Sequence, residues 1–352
     1  MTAFDGSFAV WISKKPQRAA KKRSKKMTIL ITGGAGFIGS HTAQKLLENG
    51  NDVAVIDNFN NYYDPRLKRY NMSLVQKTAS DNRQTAELFE GDIRDAGFIG
   101  SVFEKCAPDA VIHLAASAGV RPSIEDPMLY VTTNVVGTAN ILEAMAKSGV
   151  KRLCFASSSS VYGNNKKVPF SESDSVDNPI SPYAATKKSG ELLCHTYYSL
   201  YGIGIACLRF FTVYGPRQRP DLAINKFTRL MLAGKPIPVF GDGTTRRDYT
   251  YIDDIVDGIV RALDWTKNGR YDIFNLGENN TVTLSRMIGS IERALGKRAE
   301  IIAMDEQPGD VKQTWADVEK SRKVLGYEPR MDFDEGISRF VQWYRENIVL
   351  FD

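Results

Sequence analysis

Histidine is scarce in this chain: only His41, His113 and His195 occur in 352 residues, far apart in sequence. A zinc site or a histidine-based triad would need partners that the sequence barely supplies. No metal site is therefore expected, and proton transfer falls to Tyr, Lys, Ser or carboxylates. Cysteine is equally sparse. Cys106, Cys154, Cys194 and Cys207 form no CxxC pair, and three of them sit in or beside apolar stretches as small core residues do. No structural disulfide is expected, which points to a reducing compartment, the cytoplasm. No uninterrupted apolar run approaches the roughly 20 residues of a membrane span. Internal repeats and low-complexity segments are missing too.

What is present is ordinary globular material. Hydrophobic residues make up 43% and charged residues 25% of the chain. The length suits one large domain or two. The net charge of +5 suggests nucleic acid, but it is misplaced. Residues 1–26 carry eight Lys or Arg and one acid, a net of +7, so residues 27–352 carry −2. The body is not expected to bind nucleic acid. Residues 1–26 read as a basic tail without fixed structure, and three accounts of it stay open: a solvated tail, a translation-start artefact with Met27 as the true start, or a targeting or nucleic-acid arm.

From Met27 strands and helices alternate. Thr28–Thr32, Asp52–Asp57, Ala86–Glu90, Asp109–Ala115, Arg152–Ala156 and Ile203–Phe210 read as strands. Ile38–Asn49, a stretch near Val131–Lys147, and Ser181–Tyr201 read as helices. Strands apolar throughout and separated by helices imply a parallel sheet covered on both faces. The expected fold is α/β, a Rossmann-like doubly wound parallel sheet with a smaller C-terminal α/β substrate-binding region. Residues 27–210 are assigned to the dinucleotide-binding domain, with a segment near 249–265 returning to it. Residues 211–352, where Pro/Gly-rich loops break the rhythm, are assigned mainly to substrate.

The first chemical signal is the turn Gly33-Gly34-Ala35-Gly36-Phe37-Ile38-Gly39. Gly33, Gly36 and Gly39 let a backbone approach a pyrophosphate, and Phe37 and Ile38 open a helix whose N-terminus favours anions. The motif follows a strand and opens a helix, the context it requires. Asp57 ends the next strand, 18 residues past Gly39, where its carboxylate can accept bonds from ribose hydroxyls and repel a 2′-phosphate. NAD is thus expected over NADP, with Asn58 and Asn60 placed beside Asp57. Asp92-Ile93 follows another strand: Asp92 reads equally as an adenine contact or as a helix N-cap. Leu114-Ala115-Ala116 supplies small residues where a backbone must approach the dinucleotide.

The second signal is Tyr183-Ala-Ala-Thr-Lys187. On a helix, i and i+4 share a face, so Lys187 is expected to draw the Tyr183 phenol, ordinarily near ~10, toward neutrality. That would make it a usable base. The third signal is Ser157-Ser158-Ser159-Ser160-Val161-Tyr162-Gly163 at the C-terminal edge of a strand, where ligands of such sheets bind.

These motifs, joined by Asn134-Val-Val-Gly-Thr138, Arg209-Phe-Phe-Thr-Val-Tyr-Gly-Pro216 and Arg247-Asp-Tyr-Thr-Tyr-Ile-Asp-Asp254, resemble the extended short-chain dehydrogenase/reductase family, specifically its nucleotide-sugar 4-epimerases. The resemblance spans nearly all of Met27–Asp352. It implies tightly held NAD, a hydride shuttled at C4 of a UDP-sugar, Tyr183 as base, Ser158 as bridge and Lys187 as nicotinamide-ribose ligand. It also implies pairing into a homodimer through two helices per subunit.

The related dehydratases carry an Asp-Glu pair where Ser159 and Ser160 stand here, and decarboxylases carry a glutamate at the position of Ser160. Without that acid, C4 epimerisation remains, and Ser159 and Ser160 are expected to face substrate. The loop Gly215–Asp221 resembles that of UDP-glucuronate 4-epimerases. Arg219, with Thr212, is expected to hold the sugar carboxylate. Arg217 and Arg219 could alternatively serve the diphosphate or solvent. By resemblance, Arg247 is placed at the diphosphate, Asp310 at the uridine ribose, and Val239 with Phe240 at the uracil. A UDP-glucose 4-epimerase, a decarboxylase or a non-catalytic NAD-binding regulator are the alternatives.

Overall fold

The computed structural model describes residue 1, residues 26–305 and residues 311–350. The reading of the basic tail and the assignment of Asp310 therefore lie outside the described residues.

Seven parallel strands form the central sheet: β1 (Thr28–Thr32), β2 (Asp52–Asp57), β3 (Ala86–Glu90), β4 (Ala110–His113), β5 (Arg152–Ser158), β6 (Gly204–Phe210) and β7 (Tyr271–Leu276). Their order is β7-β6-β5-β4-β1-β2-β3. β5 and β6 are buried almost throughout, as are β1, β2 and β4, because helices cover both faces of the sheet. Burying one such Ile or Leu side chain stabilises by about 1.5–3 kcal/mol, so the β-branched runs seen in the sequence are the main driving force for the sheet.

The helices start where capping chemistry dictates. α1 (Phe37–Glu48) follows Gly36. α2 (Pro65–Asn82) begins with Asp64, whose carboxylate accepts from Arg66 N, and with Pro65 in the first turn. α3 (Ala96–Cys106) is capped by Asp95, which accepts from Phe98 N at 2.9 Å. Asp92 is therefore not a helix cap, contrary to one of its two readings. The segment near Val131–Lys147 is not a single α-helix: a π-helical turn, Val131–Val136, precedes α4 (Gly137–Ser148). α5 (Pro182–Tyr201) opens on Ser181, whose hydroxyl accepts from Ala184 N, and closes on Gly202 at φ +62°.

After β6 come α6 (Ala223–Leu232), α7 (Ile252–Trp265), α8 (Leu284–Leu295) and α9 (Phe333–Glu346). Two-stranded parallel pairs, Thr212–Tyr214 with Tyr249–Tyr251 and Ile237–Phe240 with Ile301–Met304, bind the C-terminal region together. The chain returns to the first layer within this region. α7 packs on α1, β5 and β6, and β7 adds the edge strand. The return runs to Leu276, beyond residue 265 where the sequence pattern placed it. Only Phe274, Asn275 and Leu276 of β7 are fully buried, so its edge position left a weak apolar signal.

Beneath the C-terminal end of β5 lies a buried ion pair. Arg209 donates from Nε and Nη2 to the two oxygens of Glu191, each at 2.9 Å, and both side chains are about 1% exposed. Ser157 Oγ donates to Glu191 at 2.6 Å, and the guanidinium lies over the Tyr162 ring at 4.8 Å. Breaking a buried pair from one side leaves an uncompensated charge. Glu191→Ala should therefore destabilise the fold by about 3–5 kcal/mol in urea titration; a loss under about 1 kcal/mol would show that the pair carries no such burden.

Candidate active site

A cleft of about 780 Å³ runs outside the carboxyl ends of the strands. Its lining gathers Gly33, Gly36, Phe37, Ile38 and Gly39 after β1 and Asp57, Asn58 and Asn60 after β2. Asp92 and Ile93 follow β3, Leu114–Ala116 follow β4, and Ser158–Ser160 stand at the end of β5, with Tyr183, Lys187, Thr212 and Arg219 completing the wall. β1 and β4 are neighbours while the chain between them runs out to β3. That reversal of strand order opens the crevice where such sheets bind ligands.

One half of the cleft is shaped for a dinucleotide. Gly33 sits at φ +69°, and a Cβ on it would lie 2.8 Å from Ala115 N; a Cβ on Gly39 would lie 2.2 Å from Gly33 O. Only backbone fits there. α1 has no side-chain cap and no acid in its first turn, so its N-terminal N–H groups face the cleft with the positive end of the helix dipole. Asp57 is held by backbone: Ala35 N donates to Oδ2 at 3.2 Å and Phe59 N to Oδ1 at 3.0 Å. This donor set fits the diphosphate and adenosine ribose of NAD. Asp92 is clasped by Arg94, Nε at 3.0 Å and Nη2 at 2.7 Å, and by Asn58 at 3.1 Å. Those bonds, led by the one from Arg94, lower its carboxyl to about 2.

The other half gathers Ser158, Tyr183 and Lys187. Ser158 ends β5 and accepts from Ser160 N at 3.2 Å, capping the 3-10 turn Ser159–Tyr162. Lys187 Nζ donates to Ala156 O at 2.7 Å and lies 6.0 Å from the Tyr183 ring centroid. Burial lowers the ammonium to about 8. Burial also raises the Tyr183 phenol above its usual value, while a hydrogen bond from Ser158 and the charge of Arg219 pull it back. The phenol is thus raised here, not drawn down as the sequence pattern suggested, and the lowering influences on it are Ser158 and Arg219. The ring of Tyr130 meets Tyr183 edge-on at 6.1 Å, and its hydroxyl donates to Ala118 O.

The two arginines of the loop after Tyr214 separate. Arg219 lines the cleft, with its guanidinium carbon 5.3 Å from the Tyr62 ring centroid. Arg217, at φ +66°, turns inward onto α1 and places its guanidinium against His41, with Nε donating to Nε2 at 3.1 Å. It does not line the cleft. Val239, Phe240 and Arg247 lie outside the cleft lining. Phe240 carries the Arg121 guanidinium 4.9 Å above its ring, beside the lining residue Val120. Arg247 Nη1 donates to Arg246 O at 2.9 Å. Its neighbour Asp248 is fully buried and receives the N–H groups of Glu278, Asn279 and Ala316, which ties three loops together.

Sequence reasoning missed Tyr62, Tyr63 and Lys68, all of which line the cleft. Lys68 donates to Asn60 Oδ1 at 2.9 Å and stands 3.7 Å from Asp57. The Asn-Asn-Tyr-Tyr run just after Asp57, aromatics in a polar loop at a strand end, was the signal available. Asn134 was noted only as part of a motif. It sits in the π-helical turn and joins Ser117 and Thr186 through its amide, so it fixes the loop after β4 to α5.

The family described as GDP-mannose 4,6 dehydratase matches residues 30–340. A UDP-glucuronate 4-epimerase of Thermodesulfobacterium geofontis is 44% identical over 322 residues, covering 91% of this chain and 97% of the relative. Among solved structures, a UDP-glucuronic acid 4-epimerase of Bacillus cereus in complex with UDP-glucuronic acid and NAD superposes with TM-score 0.84 at 38% identity, covering 91% of this chain and 99% of that one. A UDP-glucose 4-epimerase of Thermotoga maritima with UDP-glucose superposes with TM-score 0.81 at 34% identity, covering 92% of this chain and all of that one.

Burial disfavours the charged form of His41 and His113. His113 lies beneath the loop after β4, with Nδ1 2.6 Å from Thr32 Oγ1 and Nε2 3.0 Å from Thr138 Oγ1. Burial, and then the Lys187 charge, lowers it to about 3; burial and Arg217 lower His41 as well. The unfolded chain therefore takes up protons as pH falls below ~6.5 that the folded chain refuses, and these groups remove stability toward acid. In proton NMR the ring signals of His41 and His113 should stay at their neutral positions at pH 5. An inflection near 6.5 for either would contradict the burial described.

Proposed function

The chain belongs to the nucleotide-sugar branch of the extended short-chain dehydrogenase/reductase family, and on that footing we propose that it is a UDP-glucuronate 4-epimerase, interconverting UDP-glucuronate and UDP-galacturonate. The observation that carries this reading is the composition of one cleft wall. Tyr183, Ser158 and Arg219 share it, while serines stand at 159 and 160 where chemistry at C5 or C6 would need an acid.

NAD, when bound, supplies the acceptor and donor of the C4 hydride. Gly33, Gly36, Gly39 and the start of α1 would hold its diphosphate, Asp57 its adenosine ribose, and Lys187 its nicotinamide ribose. Tyr183 takes the proton of the C4 hydroxyl and returns it. Ser158 hydrogen-bonds the phenol and the sugar oxygen, so the proton has a short path. The 4-keto sugar turns over between these events, exposing its other face. Thr212 and Arg219 hold the carboxylate, and Ser159 and Ser160 contact the sugar.

A ketone at C4 lies β to the carboxylate of a uronate, which invites loss of CO2. A guanidinium clasp fixes the carboxylate so that its C–C bond does not align with the carbonyl π system. Arg219 thereby controls the fate of the intermediate as well as recognition. A UDP-glucose 4-epimerase, the second reading, would have no use for a cleft-facing arginine at this place.

We assign the protein to a reducing compartment, the cytoplasm, because all four cysteines are free thiols; no described helix is long and apolar enough to cross a membrane. We also assign a homodimer. Leu192 and Leu200 stand two turns apart on α5 with their side chains exposed, beside Tyr201 and with Val136 exposed just before α4. A second copy pairing through α4 and α5 would cover them. Light scattering should return twice the chain mass, falling to one chain mass for Leu192→Asp with Leu200→Asp; a monomeric parent protein would end this part of the reading.

The enzyme assignment is tested by proton NMR of the products. UDP-glucuronate should give UDP-galacturonate, with UDP-glucose turned over at least about 100-fold more slowly, the discrimination expected of a site built around a charged partner for the substrate. Tyr183→Phe should lose about 10²–10⁴ in kcat while NAD stays bound. A pentose product or full activity of Tyr183→Phe would overturn the assignment.

A further inference from the structure

Arg219 is not free to receive a ligand with its whole fork. Nε donates to Asp221 Oδ1 at 2.9 Å and Nη2 to Oδ2 at 2.8 Å, a bidentate pair. The Tyr62 ring faces the same guanidinium. The arginine side chain is 20% exposed and the aspartate 38%. The loop around the pair is otherwise fixed: Gln218 Nε2 donates to Val213 O at 3.0 Å, Asn225 Nδ2 to Gln218 O at 2.6 Å, and Arg217 Nε donates to His41 Nε2 at 3.1 Å. Residue 221 directly precedes Leu222, which caps α6 and lines the cleft. Asp221 can thus leave the guanidinium for water without unlocking the loop.

We infer that Asp221 is a specificity-determining residue that stands in for the sugar carboxylate on Arg219 and is exchanged for it when a uronate binds. The inference rests on the reading of Arg219 as the carboxylate clasp and deepens it. The exchange swaps one bidentate carboxylate–guanidinium pair for another, with Asp221 passing to solvent. A sugar bearing CH2OH offers no carboxylate, so Asp221 keeps its hold and the neutral sugar gains nothing from Arg219. The device discriminates by what must be displaced. It also keeps Arg219 neutralised and oriented before substrate arrives, and it lowers the affinity for the uronate by the strength of the pair it gives up.

The test uses titration calorimetry of UDP-glucuronate and UDP-glucose on NAD-containing protein carrying Tyr183→Phe, so that neither sugar turns over. Adding Asp221→Asn should tighten UDP-glucuronate about threefold, within the range that an exposed ion pair supplies, and leave UDP-glucose unchanged. A merely structural role for Asp221 would weaken both ligands together and overturn the inference, as would an unchanged affinity for UDP-glucuronate. Arg219→Ala in the same background separates the two levels. It should weaken UDP-glucuronate at least about tenfold and spare UDP-glucose, as expected for loss of a bidentate charged partner. If Arg219→Ala has no effect, the clasp itself is wrong and the exchange falls with it. If Arg219→Ala weakens the uronate while Asp221→Asn does not tighten it, only the exchange is overturned.

Discussion

One stripe of α5 holds this site together. Tyr183, Lys187 and Glu191 recur every four residues, so they share a helix face, and each reaches the end of the same strand. Tyr183 meets Ser158, Lys187 binds Ala156 O, and Glu191 takes the Ser157 hydroxyl together with Arg209 from β6. Gly190 lets the helix close on Phe155, where a Cβ would lie 2.3 Å from the ring. The helix cannot slide along β5 without breaking all three contacts. The separation of phenol and serine hydroxyl is thereby set by the fold and not by the loops.

The charges of the cleft follow from this clamp and from burial. Desolvation raises Tyr183 and lowers Lys187, so the two groups move toward each other in acidity without touching. Arg219, from an element far away in sequence, contributes the positive field at the phenol. The same guanidinium is paired with Asp221 through both carboxylate oxygens.

Much of this was legible in the chain. β1, β2 and β3 were bounded to the residue: the β-branched runs of β1 and β2 end at Gly33 and Asp57, and β3, with no β-branched residue, stops before Gly91. Gly33 and Gly39 announced a backbone approach, and Ser181-Pro182 announced the start of α5. What escaped depended on contacts between distant segments. Lys68 looks like one more surface lysine of α2, yet it is buried against Asn60 beside Asp57. Arg217 and Arg219 are two residues apart and alike in sequence, and only the backbone at φ +66° sends the first inward. β7 hid because an edge strand needs little apolar character. The fork of Arg219 could not be assigned to Asp221 from spacing alone.

Hydrogen is expected to leave C4 of a uronate and return to that same carbon from the other side, while the carboxylate stays in place. UDP-glucuronate labelled with deuterium at C4 tests it most directly, by mass spectrometry and NMR of the equilibrated nucleotide sugars in ordinary water. UDP-galacturonate should form with the label still at C4, none lost to solvent, and no release of CO2. Exchange of the label with water, or its appearance in a pentose, would rule out transfer of hydride away from C4 and back.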